Sequence, residues 1–174
     1  SSSTTTATLT PNGKKAGSTI DSSLTVTTLA SSHTLTGPSY SATSSTVGSG
    51  ALTIAFGTWS ADPTTGGGQT HTANSQDSIT INTTASTTLT ELRDLINNAA
   101  TDSDNDGDQD ILASVIYDGT NYMLMLKSES GASNEMKVTA TNNLANTVSG
   151  VSYNYNVSTS NMTQRVSGVN SAFT

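Results

Sequence analysis

The sequence predicts a mainly β protein, a β-rich α+β fold of two small antiparallel β domains, the second with one capped helix packed on its sheet. Three observations lead there. More than a third of the 174 residues are Ser or Thr and only 11% are charged, which suits threonine-rich strands coated with hydroxyls rather than ion pairs. Short stretches with two-residue alternation recur along the chain, broken by Gly, Pro and Asn. A single segment has the helical period. The same composition excludes other classes. With no cysteine, the chain has no disulfide framework, thiol nucleophile or thiolate zinc site. Acids outnumber bases 13 to 6, and the net charge of −7 argues against nucleic acid or an anionic membrane as partner. No apolar run approaches the ~20 residues that would insert across a membrane, and Ser1 to Thr6 lacks the pattern of a signal peptide.

The elements follow in order. Ser1 to Ile20 has no usable period and contains the turn signal Pro11-Asn12-Gly13, so it reads as an extended arm. Leu24, Val26 and Thr28 alternate with Thr25, Thr27 and Leu29 in a first strand. Ser31 to Ser49 is Ser/Thr-rich and broken by Gly37-Pro38 and Gly48, and reads as a linker. It places a domain boundary at residues 49 and 50: residues 1–49 form the first part of an incomplete β domain, and residues 50–174 a second, β-rich head domain. Leu52, Ile54 and Phe56 mark a half-buried strand, Gly66-Gly67-Gly68 a loop tip, and Ile79 with Ile81 a short strand. Thr88 and Glu91 have capping-box spacing before a helix over residues 89–100, whose apolar stripe is Leu89, Leu92, Leu95, Ile96 and Ala99. Ile111 to Tyr117 and Tyr122 to Lys127 form a hairpin around Asp118-Gly119. Met136, Val138 and Ala140 give another strand, Val151, Tyr153, Tyr155 and Val157 a later one, and Gln164 to Thr174 a last extended piece. The chain stops on Phe173-Thr174 without turn or cap and so reads as a fragment.

The helix reads Thr88-Leu89-Thr90-Glu91-Leu92-Arg93-Asp94-Leu95-Ile96-Asn97-Asn98. After it come Ala113-Ser114-Val115-Ile116-Tyr117, Tyr122-Met123-Leu124-Met125-Leu126-Lys127-Ser128 and Gly131-Ala132-Ser133-Asn134-Glu135-Met136. This ordered set resembles the "IN" motif module of flagellins and flagellar hook-associated proteins. Leu24 to Thr36, Gly50-Ala51-Leu52-Thr53-Ile54 and the closing Val169 to Thr174 are similar to segments of the flagellar filament cap family, so the resemblance covers roughly residues 20 to 174. It implies a secreted, non-enzymatic structural chaperone. Such a protein is exported unfolded, forms a homo-oligomer through its full-length chain, and guides flagellin subunits into place at the distal tip of the filament. This chain would be the outward head. The alternatives are the outer domain of a flagellin or hook-filament junction protein, and a calcium-dependent extracellular adhesin domain, whose cell adhesion would bring host or surface glycans as partners.

One stretch carries chemistry. Asp102-Ser103-Asp104-Asn105-Asp106-Gly107-Asp108-Gln109-Asp110 matches D-x-D-x-D-G-x-x-D, in which alternate carboxylates converge on a calcium ion and Gly107 permits the sharp turn. Candidate metal ligands are therefore Asp102, Asp104, Asp106, Asp108 (through its carbonyl) and Asp110. Ala113 stands where an EF-hand has its bidentate Glu, which places affinity for Ca²⁺ on the order of 10⁻⁴–10⁻³ M. The other reading is a solvated acidic turn. The loop looks like an insertion relative to the family pattern, so no family role extends to it. His33 and His71 read as surface histidines, and no serine sits in a nucleophile motif. Tyr122 to Lys127 is apolar on both faces, as for a central strand buried on both sides or one with a face at an oligomer interface.

Overall fold

The structure is a computed structural model that describes residues 25–61, 69–76, 78–103, 105, 107–145, 152–153 and 162–173. The extended arm, the Gly66-Gly67-Gly68 tip, Asp104, Asp106 and most of the strand expected over Val151 to Val157 lie outside these residues. Ten strands and one α-helix are present among the described residues, and all strand pairs are antiparallel. The β-rich α+β class read from the sequence is the fold observed.

Strand β1 (Val26–Thr28) is exposed and pairs only with β10 (Ala172–Phe173), joining the two ends of the described chain. Strand β2 (Ser32–Tyr40) lies inside a sheet, flanked by β7 (Tyr122–Ser130) and β9 (Thr163–Val166), with β6 (Ile111–Tyr117) beyond β7. The second sheet is built on β3 (Gly50–Ala61), a twelve-residue strand. On one side β3 pairs first with β5 (Ile79–Thr83) and then with β4 (Gln69–Ala73); on the other it pairs with β8 (Glu135–Ala140). At Gly57, β4 comes in close, and a Cβ there would collide with the Thr72 carbonyl oxygen.

Strand β2 corrects the linker read from the sequence. Gly37-Pro38 looks like a break, yet the pairing with β7 shifts register between Thr36 and Ser39, so the proline sits at an irregularity instead of needing a ladder bond. Leu35 and Tyr40 point inward on either side of it. Ser32–Tyr40 is therefore hydrogen-bonded into the sheet of β6 and β7. Leu35, Leu52, Ile54, Phe56, Leu124, Leu126 and Met136 belong to one apolar cluster that spans the expected break.

Helix α1 (Leu89–Ala99) packs on β5 and β6 and buries Leu89, Leu92 and Ile96, while Leu95 stays 38% exposed. Its N-terminus is closed as the sequence predicts. The Glu91 N–H donates to Thr88 Oγ1 at 3.2 Å, and the Thr88 N–H donates to Glu91 Oε2 at 2.8 Å. The Ile96-Asn97 pair that carries the family resemblance has a physical role. Ile96 is fully buried, and the Asn97 side chain takes both backbone groups of Ala113 on the outer edge of β6. Its Nδ2 donates to the Ala113 carbonyl at 2.9 Å, and its Oδ1 accepts the Ala113 N–H at 2.8 Å. One amide thus replaces a neighbouring strand at that point of the edge. The hairpin between β6 and β7 turns at Gly119, with φ of 101°. Asp118 Oδ1 accepts the Asn121 and Thr120 N–H groups, which hold its carboxyl below the usual carboxylate range.

Leu92→Ala should cost ~2–5 kcal/mol, because it empties a site walled by both sheet and helix. Thr88→Ala removes a solvent-facing cap and should cost less, ~0.5–2 kcal/mol. Denaturant unfolding ranks the two, and the reverse order would show that Leu92 is not the helix anchor.

Candidate functional site

The acidic loop leaves α1 through Ala100 and enters β6 at Ile111. Its turn forms as the glycine requires. Gly107 has φ of 101°, Asn105 has φ of 60°, and the Gly107 N–H donates to Asp102 Oδ2 at 3.1 Å. Asp108 is exposed and borders a groove of about 770 Å³, together with Leu112, Lys127, Glu129 and Asn134.

Asp110, the ninth position of the pattern, lies in the interior. It is fully buried, and both carboxylate oxygens accept from neutral donors. Oδ1 accepts from Gln76 Nε2 at 3.0 Å and from the Ser103 N–H at 3.3 Å. Oδ2 accepts from Thr101 Oγ1 at 2.8 Å and from the Ser103 hydroxyl. The Asp110 N–H donates to the Thr101 carbonyl at 2.8 Å, and its own carbonyl accepts the Glu129 N–H at 3.2 Å. Asp110 thus ties the two ends of the loop to each other and to β7. Gln76 Nε2 also donates to Glu129 Oε2 at 3.1 Å, so one neutral amide separates two carboxylates. Among the described residues no group of three or more His, Cys, Asp or Glu is placed to share a metal ion. The signal for this clamp was the pair of hydroxyl residues, Thr101 and Ser103, just upstream of the aspartate that opens a strand.

The second polar cluster was missed altogether, because His33 is fully buried rather than at the surface. Its Nδ1 accepts the Met136 N–H at 2.8 Å, and its Nε2–H donates to Gln164 Oε1 at 3.2 Å. The same Gln164 oxygen accepts the Tyr153 hydroxyl. Tyr153 lies 5.4 Å from the His33 ring and 6.1 Å, edge-on, from Trp59. Trp59 Nε1–H donates to the Met136 carbonyl at 3.1 Å and stacks obliquely on His71 at 4.8 Å. Burial lowers the His33 pKa to about 4, against the Gln164 hydrogen bond and with help from His71. Burial also lowers His71, although its Nε2–H donates to the Glu135 carbonyl at 3.1 Å, and Lys137 adds to the lowering. Glu135 is raised by burial, against N–H donors from Trp59 and Gly168. Bonded to one another and to β8, these groups form a joint between the two sheets.

Strand β7 is central, as expected, but its two faces differ. Leu124 and Leu126 are fully buried, whereas Met123 and Met125 are half-buried beside Leu112 (50% exposed) and, across β2, Val166 (44% exposed).

No family model and no curated protein matches the sequence. Solved structures do. The D2–D3 domains of the flagellar cap protein FliD from Escherichia coli match with a TM-score of 0.67 and 26% identity over 92% of this chain and 74% of that one. This chain resembles the head of the flagellar cap protein. The E. coli cap protein D1–D2–D3 structure gives a TM-score of 0.65 at 26% identity and covers 87% of this chain; this chain spans 38% of that one. The Pseudomonas aeruginosa cap protein FliD shares the fold, with a TM-score of 0.60 at 20% identity over 87% of this chain. The cap-like segments noted in the sequence coincide with strands. Gly50 to Ile54 opens β3, Leu24 to Thr36 includes β1 and part of β2, and Val169 to Thr174 includes β10.

Asp110→Ala strips Thr101, Ser103 and Gln76 of a shared buried acceptor. It should lower stability by ~1.5–3 kcal/mol, the range for hydrogen bonds to a charged group. Asp110→Asn keeps one acceptor oxygen and should recover part of that loss in thermal unfolding.

Proposed function

We propose that this chain is the outward head of a flagellar filament cap, secreted to the distal tip of the filament. In the full-length protein it acts in a homo-oligomer, where it assists the assembly of flagellin subunits. The reading is structural and not enzymatic. The observation that carries it is the match over nearly the whole chain to the E. coli cap head at a TM-score of 0.67, joined to the cap-like order of the sequence segments. The interior chemistry agrees with it: the buried histidine, tyrosine and aspartate hold strands and loop ends together. Immunogold electron microscopy with antibodies to residues 25–173 should label filament tips in the source bacterium. Label along the whole filament would favour a flagellin outer domain, and label at its base a junction protein.

We also propose that the acidic loop takes Ca²⁺ weakly through Asp102, Asp104, Asp106 and the Asp108 carbonyl, with Asp110 holding the exit of the loop. Supporting it is the hydrogen bond from Gly107 to Asp102, which links the sixth and first positions of the calcium pattern. Millimolar calcium should raise the melting temperature relative to chelator, by mass action, and give heat in calorimetric titration. Asp102→Ala should abolish both. No heat and no shift would leave an acidic turn closed by Asp110.

A further inference from the structure

Among the described strands, β8 pairs with β3 alone. On its other side, Tyr153 and His33 close the edge. Val138 exchanges both backbone bonds with Tyr153, at 2.7 and 2.8 Å, and Met136 gives its N–H to the Nδ1 of His33. His33 stands on β2, in the other sheet, and its backbone N–H donates to Ser128 Oγ on β7 at 3.2 Å. Direct contacts between β2 and β8 are sparse, so this imidazole is a principal polar tie between the sheets at that point.

The bonding fixes the state of the ring. Met136 N–H is a donor that cannot become an acceptor, so Nδ1 must be unprotonated, and Nε2 must carry the hydrogen that reaches Gln164. A second proton has one place to go, Nδ1, where it would set N–H against N–H in a buried space. We infer that His33 is a proton-operated latch: protonation at Nδ1 releases the Met136 N–H, opens the β8 edge at that point and loosens the joint with Tyr153 and Gln164. This goes beyond the cap reading and does not depend on it.

The surrounding groups set the sign. From β4, His71 faces the joint and is itself held below its usual pKa by burial, so it adds positive charge at low pH and favours opening. From β8, Glu135 is raised by burial and turned to the Trp59 N–H at 3.3 Å, while Lys137 acts on His71. From β9, Arg165 donates to Thr36 Oγ1 at 2.8 Å, away from the ring, and Tyr153 contributes a neutral hydroxyl. His33 is lowered from 6.5 in the unfolded chain to about 4 in the folded one. The stabilising contribution of its neutral form is therefore complete above 6.5 and is lost as pH falls towards 4. That difference corresponds to a few hundredfold, on the order of 10², in the folding equilibrium. Glu135 works in the opposite sense, since a raised carboxyl favours the folded state as pH falls through its folded value towards its lower unfolded one.

The test is nitrogen-15 NMR on the 174-residue chain. At neutral pH, His33 should show the Nε2–H tautomer with Nδ1 as acceptor. Between pH 6.5 and 4 the exchange protection of the Met136 amide should fall at least tenfold further than that of Leu124 on β7. His33→Asn, which offers a non-titrating acceptor near the Nδ1 position, should hold Met136 protection level across the window. His71→Gln should keep the acid response, moved to slightly higher pH because the His71 charge no longer lowers His33, and it serves alone should the asparagine variant not fold. An Nδ1–H tautomer at neutral pH, an unchanged acid response in His33→Asn, or loss of that response in His71→Gln would each overturn the latch.

Discussion

Met136 points its backbone N–H away from β3 into the interior, where among the described residues no regular strand runs beside it, and His33 Nδ1 accepts it at 2.8 Å. A buried N–H without a partner costs on the order of 1–3 kcal/mol, so a sheet edge that turns inward has to be closed by something. Here a side chain does it. The same solution recurs at β6, where Asn97 takes both backbone groups of Ala113, and at the acidic loop, where Asp110 gathers the donors of Thr101, Ser103 and Gln76. Helix, loop and sheets are placed by these closures. Because α1 must bring Asn97 to the edge of β6, the helix can lie across the sheet in only one register.

This way of closing edges suits the composition. The only ion pair found among the described residues is the exposed Arg93–Asp94 contact, with the residues side by side on the helix, and such pairs contribute little. Threonine hydroxyls and amides supply the polar bonding instead. Thr83 Oγ1 donates to the Gly48 carbonyl at 2.8 Å, and Asn74 and Asn134 fix the turn after β7. Neutral donors have fixed geometry and a small desolvation cost, so they can be buried at a strand end where a lysine could not. The exterior of the β6–β7 sheet stays partly apolar, with Met123, Met125 and Leu112 around Lys127. A head built in this way keeps its edges internally bonded and presents faces.

The elements legible in the sequence are those whose signal is local. The capping box of Thr88 and Glu91, the Asp118-Gly119 hairpin and the alternation in β3, β5 and β8 each involve residues a few positions apart and formed as read, and the helical stripe did so except at Leu95, which stays exposed. Strand β2 was not legible. Its Gly37-Pro38 carries the strongest local sign of a break, and only the offset pairing with β7 shows that the break is absorbed in a bulge. His33 was misplaced for the same reason. In the chain it sits among Ser and Thr, and nothing nearby announces that Met136, more than a hundred residues on, will present a donor to it.

The acidic loop divides along the same line. Sequence alone determined the fold class, the helix and its cap, the turn at Gly107 and the ordered segments that resemble a cap head, because propensity, spacing and φ preference act over a few residues. Tertiary structure alone decided that residues before Gly50 share the core, that Asp110 faces inward to neutral donors, and that a histidine joins the two sheets. Those outcomes depend on which backbone groups remain unpaired after the sheets assemble, a quantity that exists only once distant strands have met.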